Sequence, residues 1–161
     1  VEALAELLPD NRFQFVLLGS GDEALEEILK QLQETFPEQV GVKIGYDQSL
    51  SHKIEAGADF FLMPSRFEPC GLNQLYSLRY GTIPIVHAVG GLKDSITDIS
   101  QNKGNGIRYD GFDVSELKAA ILRAFTMYCD HHGTERARER GMNQDFSWPI
   151  SADQYLDIYR L

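Results

Sequence analysis

Short apolar runs of strand length alternate along this chain with stretches whose apolar residues recur at helical spacing. The first run, FQFVLL at 13–18, is followed by one apolar helical stripe made of Leu25, Ile28, Leu29, Leu32 and Phe36. Further strand-like runs lie at 40–44, 60–63, 83–87 and 107–109. This alternation predicts an α/β fold, a doubly wound parallel sheet of the Rossmann-like kind. The strands lack clear polar alternation, as expected where helices cover both faces.

The loops after the strands are the places to look for a ligand site. In an open parallel sheet, ligands bind at the carboxyl ends of the strands. Four loops meet that condition, at 19–21, 46–49, 64–72 and 88–91.

Composition excludes several classes of protein. The chain has 161 residues, enough for one domain or one lobe of a two-lobed enzyme, and a net charge of −9, which argues against a nucleic-acid partner. Its two cysteines form no metal-type or redox-type pair, which favours a reduced, cytoplasmic protein. There is no long apolar run, no signal-peptide pattern and no cluster of carboxylates that would hold a metal, so no membrane, metal or cofactor is expected.

The loop at 64–72 carries the most informative chemistry. Pro64 and Pro69 stiffen it, and it ends in Gly71 and Leu72, whose amides open a helix and suit an anion. Glu68 would repel a phosphate. It is expected either to face sugar hydroxyls or developing positive charge, or to complement the helix dipole.

Gly19 and Gly21 form a weaker signal. Glycines after a strand let the backbone approach a phosphate, but Asp22 and Glu23 follow at once. The turn is therefore either a phosphate contact or a tight turn whose acidic residues complement the helix dipole.

Residues 59–92, DFFLMPSRFEPCGLNQLYSLRYGTIPIVHAVGGL, resemble the signature stretch of the glycogen/starch synthases. The resemblance extends to GYDQSLSHKIEAGAD at 45–59, VLLGSGD at 16–22 and the closing FSW and DQYLDIYR segments. It covers nearly the whole chain and is loose from about 100 to 145. These synthases are retaining glucosyltransferases of the two-lobed GT-B type, so the resemblance implies the C-terminal, donor-binding lobe.

The resemblance implies roles for individual residues. Glu68 matches a carboxylate beside the donor sugar and is the expected catalytic residue. Tyr46 matches an aromatic residue that stacks on the nucleotide base. The other expected donor contacts are Gly19, Gly21, Cys70, Gly71, Leu72 and Asn73.

Four positions depart from the family or are expected to be structural. Asn73 stands where the synthases usually have Thr, and Tyr76 stands where a wider pattern has a second glutamate; Tyr76 is expected in the core. His87 replaces a basic residue before the glycine pair, which puts a direct phosphate contact there in doubt. His52 is expected to be structural.

The implied function is transfer of glucose from ADP-glucose or UDP-glucose to the nonreducing end of an α-1,4-glucan, with retention. The alternatives are a noncatalytic nucleotide-binding module and another GT-B nucleotide-sugar enzyme. Residues 1–145 are expected to form the nucleotide-sugar-binding domain, and 146–161 a helix that packs toward an N-terminal lobe. Since the chain begins without Met, it is expected to be a piece of a longer protein, inactive alone and located in the cytoplasm or, in a plant, the plastid.

Overall fold

A computed structural model describes residues 1–10 and 12–160. The strands are β1 (Phe15–Gly19), β2 (Val40–Ile44), β3 (Phe60–Met63), β4 (Ile83–His87) and β5 (Ile107–Tyr109). The helices are α1 (Glu2–Leu7), α2 (Glu23–Thr35), α3 (Gln48–Gly57), α4 (Asn73–Tyr80), α5 (Gly90–Ser95), α6 (Val114–Cys129), α7 (His131–Met142) and α8 (Trp148–Tyr159). The strand–helix alternation predicted from the sequence is confirmed.

All the strand pairs are parallel, but they form two hydrogen-bonded groups. β1 pairs with β2, starting at Phe15 opposite Val40, and β4 pairs with both β3 and β5. The α/β fold with parallel strands is therefore confirmed. The single predicted sheet is, however, divided into one sheet of two strands and one of three strands. Since parallel strands point the same way within each sheet, the loops after them emerge at its carboxyl edge.

Three hydrophobic clusters form the core. One joins β4 and β5 to α6 and α7, a second joins α1, α2 and β2 to α6, and a third lies between α4, β4 and α5. Leu62 of β3 and Leu117 of α6 pack against both of the first two clusters. The two sheets thus share a core, although no ladder joins them within residues 1–10 and 12–160.

Burial of the strands and of α2 differs from the sequence expectation. β4 is buried along its whole length, but β1 and β3 are mostly half-buried, and Val16 is exposed. On α2 only Leu29 and Leu32 of the predicted stripe are buried, while Leu25 and Ile28 are exposed. The apolar stripe of α2 is therefore wider than the part of the helix that packs against the rest of the described chain.

Aspartate side chains start several of the helices. Asp22 accepts hydrogen bonds from the amides of Ala24 and Leu25 at the start of α2, and Asp113 accepts one from Glu116 at the start of α6. Asp47 and Asp130 do the same for α3 and α7. Each carboxylate satisfies amides that the first helical turn leaves unpaired. These caps hold the loops that precede them.

Candidate functional site

Hydrogen bonds join the carboxyl-edge loops in pairs. The Gly45 amide donates to the Gly19 carbonyl at 2.9 Å, which ties the loop after β1 to the loop after β2. The Gly91 amide donates to the Glu68 carbonyl at 3.0 Å, which ties the loop after β3 to the start of α5. The segments that the sequence singled out therefore lie side by side within each pair.

The segment 64–72, here called the Glu68 loop, carries the expected catalytic carboxylate. Glu68 is half-buried, and its Oε2 lies 3.4 Å from the donating Oγ of Ser65. One side-chain hydrogen bond leaves the carboxylate with acceptor capacity for a ligand hydroxyl. The loop is thus able to present Glu68 to a sugar.

Two glycines outside the loop set its position. A Cβ at Gly90 would lie 2.1 Å from the Glu68 carbonyl oxygen, and one at Gly91 would lie 2.2 Å from the Cys70 carbonyl oxygen. Gly90 also has a φ of +42°, which favours glycine. The loop at 88–91 was a candidate ligand contact, but here its glycines support the Glu68 loop, a role that sequence reasoning missed.

Gln74 is a second residue that sequence reasoning missed. Its side chain is only 1% exposed, and Nε2 faces the carbonyl oxygens of Cys70 at 3.0 Å and Gly71 at 3.1 Å, as well as Oγ of Ser95 at 3.2 Å. Gly71 has a φ of +76°, and a Cβ there would lie 2.5 Å from Gln74 Oε1. Gln74 therefore holds the end of the Glu68 loop against α5, and Gly71 makes room for it.

The start of α4 is open. No described side chain caps this helix, whose first residue is the exposed Asn73 and whose Ncap residue is Leu72. Uncapped amides at a helix N-terminus attract anions because they carry the positive end of the helix dipole. Cys70 is exposed beside this opening, and its thiol lies 3.4 Å from the Gly71 carbonyl. The expected contacts Cys70, Gly71, Leu72 and Asn73 are thus brought together around one helix start.

The turn at 19–21 is occupied by carboxylates. The Gly21 amide donates to Glu26 at 2.9 Å, and Asp22 takes two of the amides that follow. A Cβ at Gly19 or Gly21 would meet nothing within 4 Å. A phosphate at this turn would have to displace the acidic side chains. A donor contact from Gly19 and Gly21 stays a prediction.

Tyr46 projects from the loop after β2. It is 89% exposed and follows Gly45, whose φ is +128°. Asp47, the next residue, pairs with Lys43 at 2.8 Å and caps α3; the Lys43 hydrogen bond and the Leu50 amide lower the pKa of Asp47. An open ring on a fixed support is available for stacking on a flat ligand.

Tyr76 is not a core residue as the sequence suggested. It lies on α4, which contacts α3, and is 42% exposed. There its ring is 6.2 Å from that of His52, whose Nδ1 lies 3.4 Å from the Tyr80 hydroxyl and 3.7 Å from Glu55 Oε2. Burial raises the pKa of Glu55, although nearby His52 acts to lower it. These contacts fit the structural role expected for His52.

Other kinds of site are not found in the described residues. No group of three or more potential metal ligands comes together within residues 1–10 and 12–160. None of the helices described is long and apolar enough to span a bilayer. Two surface cavities, of about 510 and 410 Å³, are lined by residues outside the Glu68 loop.

The fold and the edge loops together define a class of protein. A parallel α/β domain with these loops matches GT-B glycosyltransferase structures. The chain belongs to the glycosyl transferases group 1 family, whose sequence model matches residues 1–142.

Curated relatives carry the name glycogen synthase. The chain is 52% identical over 162 residues to the glycogen synthase of Myxococcus xanthus and 46% identical over 165 residues to that of Thioalkalivibrio sulfidiphilus. Each match covers 99% of this chain and 34% of the relative. The chain thus spans about a third of the length of these relatives.

Solved structures agree with the sequence relatives. The catalytic domain of starch synthase IV from Arabidopsis thaliana, bound to ADP and acarbose, matches with a TM-score of 0.86 and 37% identity, over 99% of this chain and 34% of that one. WaaG, a glycosyltransferase involved in lipopolysaccharide biosynthesis, matches with a TM-score of 0.68 and 25% identity, over 94% of this chain and 40% of that one.

Proposed function

We propose that this chain is the donor-binding lobe of a glycogen or starch synthase. The complete enzyme would transfer glucose from ADP-glucose or UDP-glucose to the nonreducing end of an α-1,4-glucan with retention. The observation that carries the proposal is the Glu68 loop, held by Gly90, Gly91 and Gln74 beside the open start of α4. A held carboxylate next to uncapped amides suits a ligand with a sugar on one side and a phosphate on the other.

In this proposal the parts of the donor go to different residues. The α4 amides and the segment from Cys70 to Asn73 bind the diphosphate and the near side of the glucose. Glu68 faces the sugar, where it orients the substrate and stabilises positive charge that develops at the reacting carbon. Tyr46 stacks on the nucleotide base, and a stacking ring accepts adenine and uracil alike.

The relatives support the choice of donor class. The Arabidopsis starch synthase IV structure is bound to ADP, and the curated relatives are named glycogen synthases. We extend nucleotide-sugar binding, with ADP-glucose or UDP-glucose as donor, to this chain on that basis. We also propose a glucan acceptor and a location in the cytoplasm or the plastid.

A second lobe completes the site in this proposal. The chain covers about a third of the length of its curated relatives, and the start of α4 beside the Glu68 loop is uncapped. An open edge by itself does not exclude water from a reacting sugar. We propose that residues 1–145 form the donor-binding domain and that the N-terminal lobe supplies the acceptor side and cations for the leaving diphosphate.

The closing segment supports the same division. The α8 helix leaves Trp148 and Tyr159 exposed by 83% and 81%, and the family match ends at residue 142. An apolar helix with no buried residue needs a partner surface. We propose that residues 146–161 pack toward the N-terminal lobe.

Calorimetry of this chain with ADP, UDP, ADP-glucose and glucose tests the donor site. We expect binding of a nucleoside diphosphate, weakened about tenfold in Tyr46→Ala because base stacking is lost. Tyr128→Ala is the matched control, since Tyr128 is also exposed but lies on α6. Equal losses in both variants, or no binding to any of the four ligands, would contradict the proposal.

The role of Glu68 is tested in the complete enzyme. We expect Glu68→Gln to lower kcat strongly while leaving nucleotide affinity within a few-fold, because the amide keeps the shape and loses the charge. The chain alone is expected to transfer no glucose to glycogen. Unchanged turnover in Glu68→Gln would remove this carboxylate from the mechanism, and transfer by the chain alone would contradict the two-lobe proposal.

A further inference from the structure

His87, the last residue of β4, has a carbonyl oxygen against each of its ring nitrogens. Nδ1 lies 2.8 Å from the Ser65 oxygen and Nε2 lies 3.1 Å from the Asp110 oxygen, while the residue is only 7% exposed. A neutral imidazole has one N–H and can donate to only one of them. The other nitrogen would then turn its lone pair toward a carbonyl lone pair in a site that holds little water, which is costly.

We infer that His87 is held as an imidazolium and acts as a positioning residue for the Glu68 loop. One N–H donates to the Glu68 loop at Ser65, and the other donates to the segment that follows β5 at Asp110. The inference rests on the proposed function only in giving Glu68 a role at the donor.

The surroundings of the ring suit a positive charge. The Tyr109 ring stacks on His87 with centroids 5.5 Å apart and an interplanar angle of 30°, and the Phe112 ring lies 5.3 Å away. Aromatic faces attract cations. Burial raises the pKa of Tyr109 to about 12, so its phenol is neutral at pH 7.

The segments that contact the His87 ring also carry charged side chains. The Glu68 loop carries Arg66 and Glu68, the neighbouring strand β5 carries Arg108, and the segment after it carries Asp110. Arg66 lies over the Phe112 ring at 4.7 Å from its centroid. In the inferred state the two carbonyl oxygens accept both N–H protons of the imidazolium.

The link from His87 to Glu68 passes through Ser65. His87 fixes the Ser65 carbonyl, and the Ser65 hydroxyl in turn lies 3.4 Å from the carboxylate of Glu68. The Glu68 carbonyl is fixed separately by the Gly91 amide. Releasing Ser65 would therefore loosen the loop on one side, so that the hydrogen bond from the Gly91 amide to the Glu68 carbonyl opens more often.

Nitrogen-15 NMR of the His87 ring in the unmodified chain at pH 7 tests the charge. We expect both ring nitrogens to carry a proton. Detection of one unprotonated ring nitrogen on His87 would overturn the assignment. This readout needs no ligand, so a chain that fails to bind nucleotides would contradict the proposed function and leave the NMR result standing.

Hydrogen exchange tests the positioning role. His87→Phe keeps an aromatic ring without donors, and we expect the Gly91 amide to exchange at least about tenfold faster because the Glu68 loop opens more often. The Gly45 amide, which bonds to Gly19 at the end of the β1–β2 pair, reports on opening in the other sheet and is expected to change much less. His52→Phe, on α3, is the matched control and should leave the Gly91 rate unchanged.

A second variant keeps the test informative if His87→Phe does not fold. His87→Gln retains N–H donors for one of the two carbonyls, so the Gly91 exchange rate is expected to rise less than in His87→Phe. A Gly91 rate that is unchanged in a folded variant, or that rises only in step with the Gly45 rate, would overturn the positioning role.

Discussion

Asp98, just after α5, accepts several hydrogen bonds in a largely buried position. Ser100 donates through its amide at 3.0 Å and its hydroxyl at 2.6 Å, the Arg108 amide donates at 2.7 Å, and Arg123 Nη2 lies at 2.6 Å. Burial alone would raise its pKa, but the bonds from Ser100, Arg108 and Arg123 outweigh burial and lower the pKa of Asp98 to about 2. The bonded carboxylate therefore stabilises the loop that leads into β5.

The lowered pKa of Asp98 predicts a pH dependence of stability. A depressed carboxyl pKa adds stability above its unfolded value near 3.8, and that stability is lost as the pH falls toward 2. We expect Asp98→Asn to lower the free energy of unfolding at pH 7 by about 2 kcal/mol and to flatten its fall between pH 4 and 2. Urea unfolding across that range measures both. Asp94→Asn, at an exposed aspartate on α5, should change neither, and an equal effect there would contradict the prediction.

Gly91 offers a prediction about the site itself. A methyl group at Gly91 would overlap the main chain of Cys70, so we expect Gly91→Ala to push the Glu68 loop away and weaken nucleotide-sugar binding at least about tenfold. Gly57→Ala is the control: a Cβ there meets nothing, and alanine favours the α3 helix by about 0.5–1 kcal/mol. Calorimetry measures nucleotide-sugar binding by both variants, and thermal unfolding measures their stability. Unaltered binding in Gly91→Ala would contradict the role assigned to the glycine pair.

At the scale of elements, local patterns were enough for most helices and strands but not for the contacts between them. Apolar runs predicted the strands, and the position of the Glu68 loop followed from the end of β3. The short helix α5 was missed because it begins with two glycines. Gln74 and His87 were not assigned to the site, because their partners Cys70, Ser65 and Asp110 are set by loop packing rather than by spacing. A single sequence shows only a polar residue on a buried face.

The α8 helix makes an element-scale prediction. Ile158 is 63% exposed on α8, whereas Ile96 at the end of α5 is 1% exposed. We expect Ile158→Ala to change the free energy of unfolding of this chain by less than about 0.5 kcal/mol, against a loss of about 2–5 kcal/mol for Ile96→Ala. Urea unfolding measures both values. A large loss from Ile158→Ala would mean that α8 packs on this lobe, contrary to the proposed contact with the N-terminal lobe.

At the scale of the whole molecule, the sheet of β1 and β2 and the sheet of β3, β4 and β5 are coupled through a shared hydrophobic core. Leu62 and Leu117 contact both the cluster around β4 and β5 and the cluster around α1 and β2. The α6 helix spans both clusters, with Ile121 in one and Ala124 in the other. Tertiary packing therefore replaces the missing ladder.

This coupling predicts a single unfolding transition. We expect hydrogen exchange in β2 and β4 to report the same global free energy, and Leu62→Ala to lower both values together by about 2 kcal/mol. Two separate transitions, or a loss confined to one sheet, would contradict the coupling. Leu25→Ala is the control, since Leu25 is exposed on α2 and should shift neither value.

The contacts that hold the Glu68 loop have a consequence for variation. His87, the Gly91 amide and Gln74 all bind its main-chain oxygens, at Ser65, Glu68, Cys70 and Gly71. None of these contacts depends on which side chains the loop carries at 66, 67 or 70. A library randomised at those three positions should therefore keep the loop shape while changing what it recognises, so that new specificities are within reach of few substitutions.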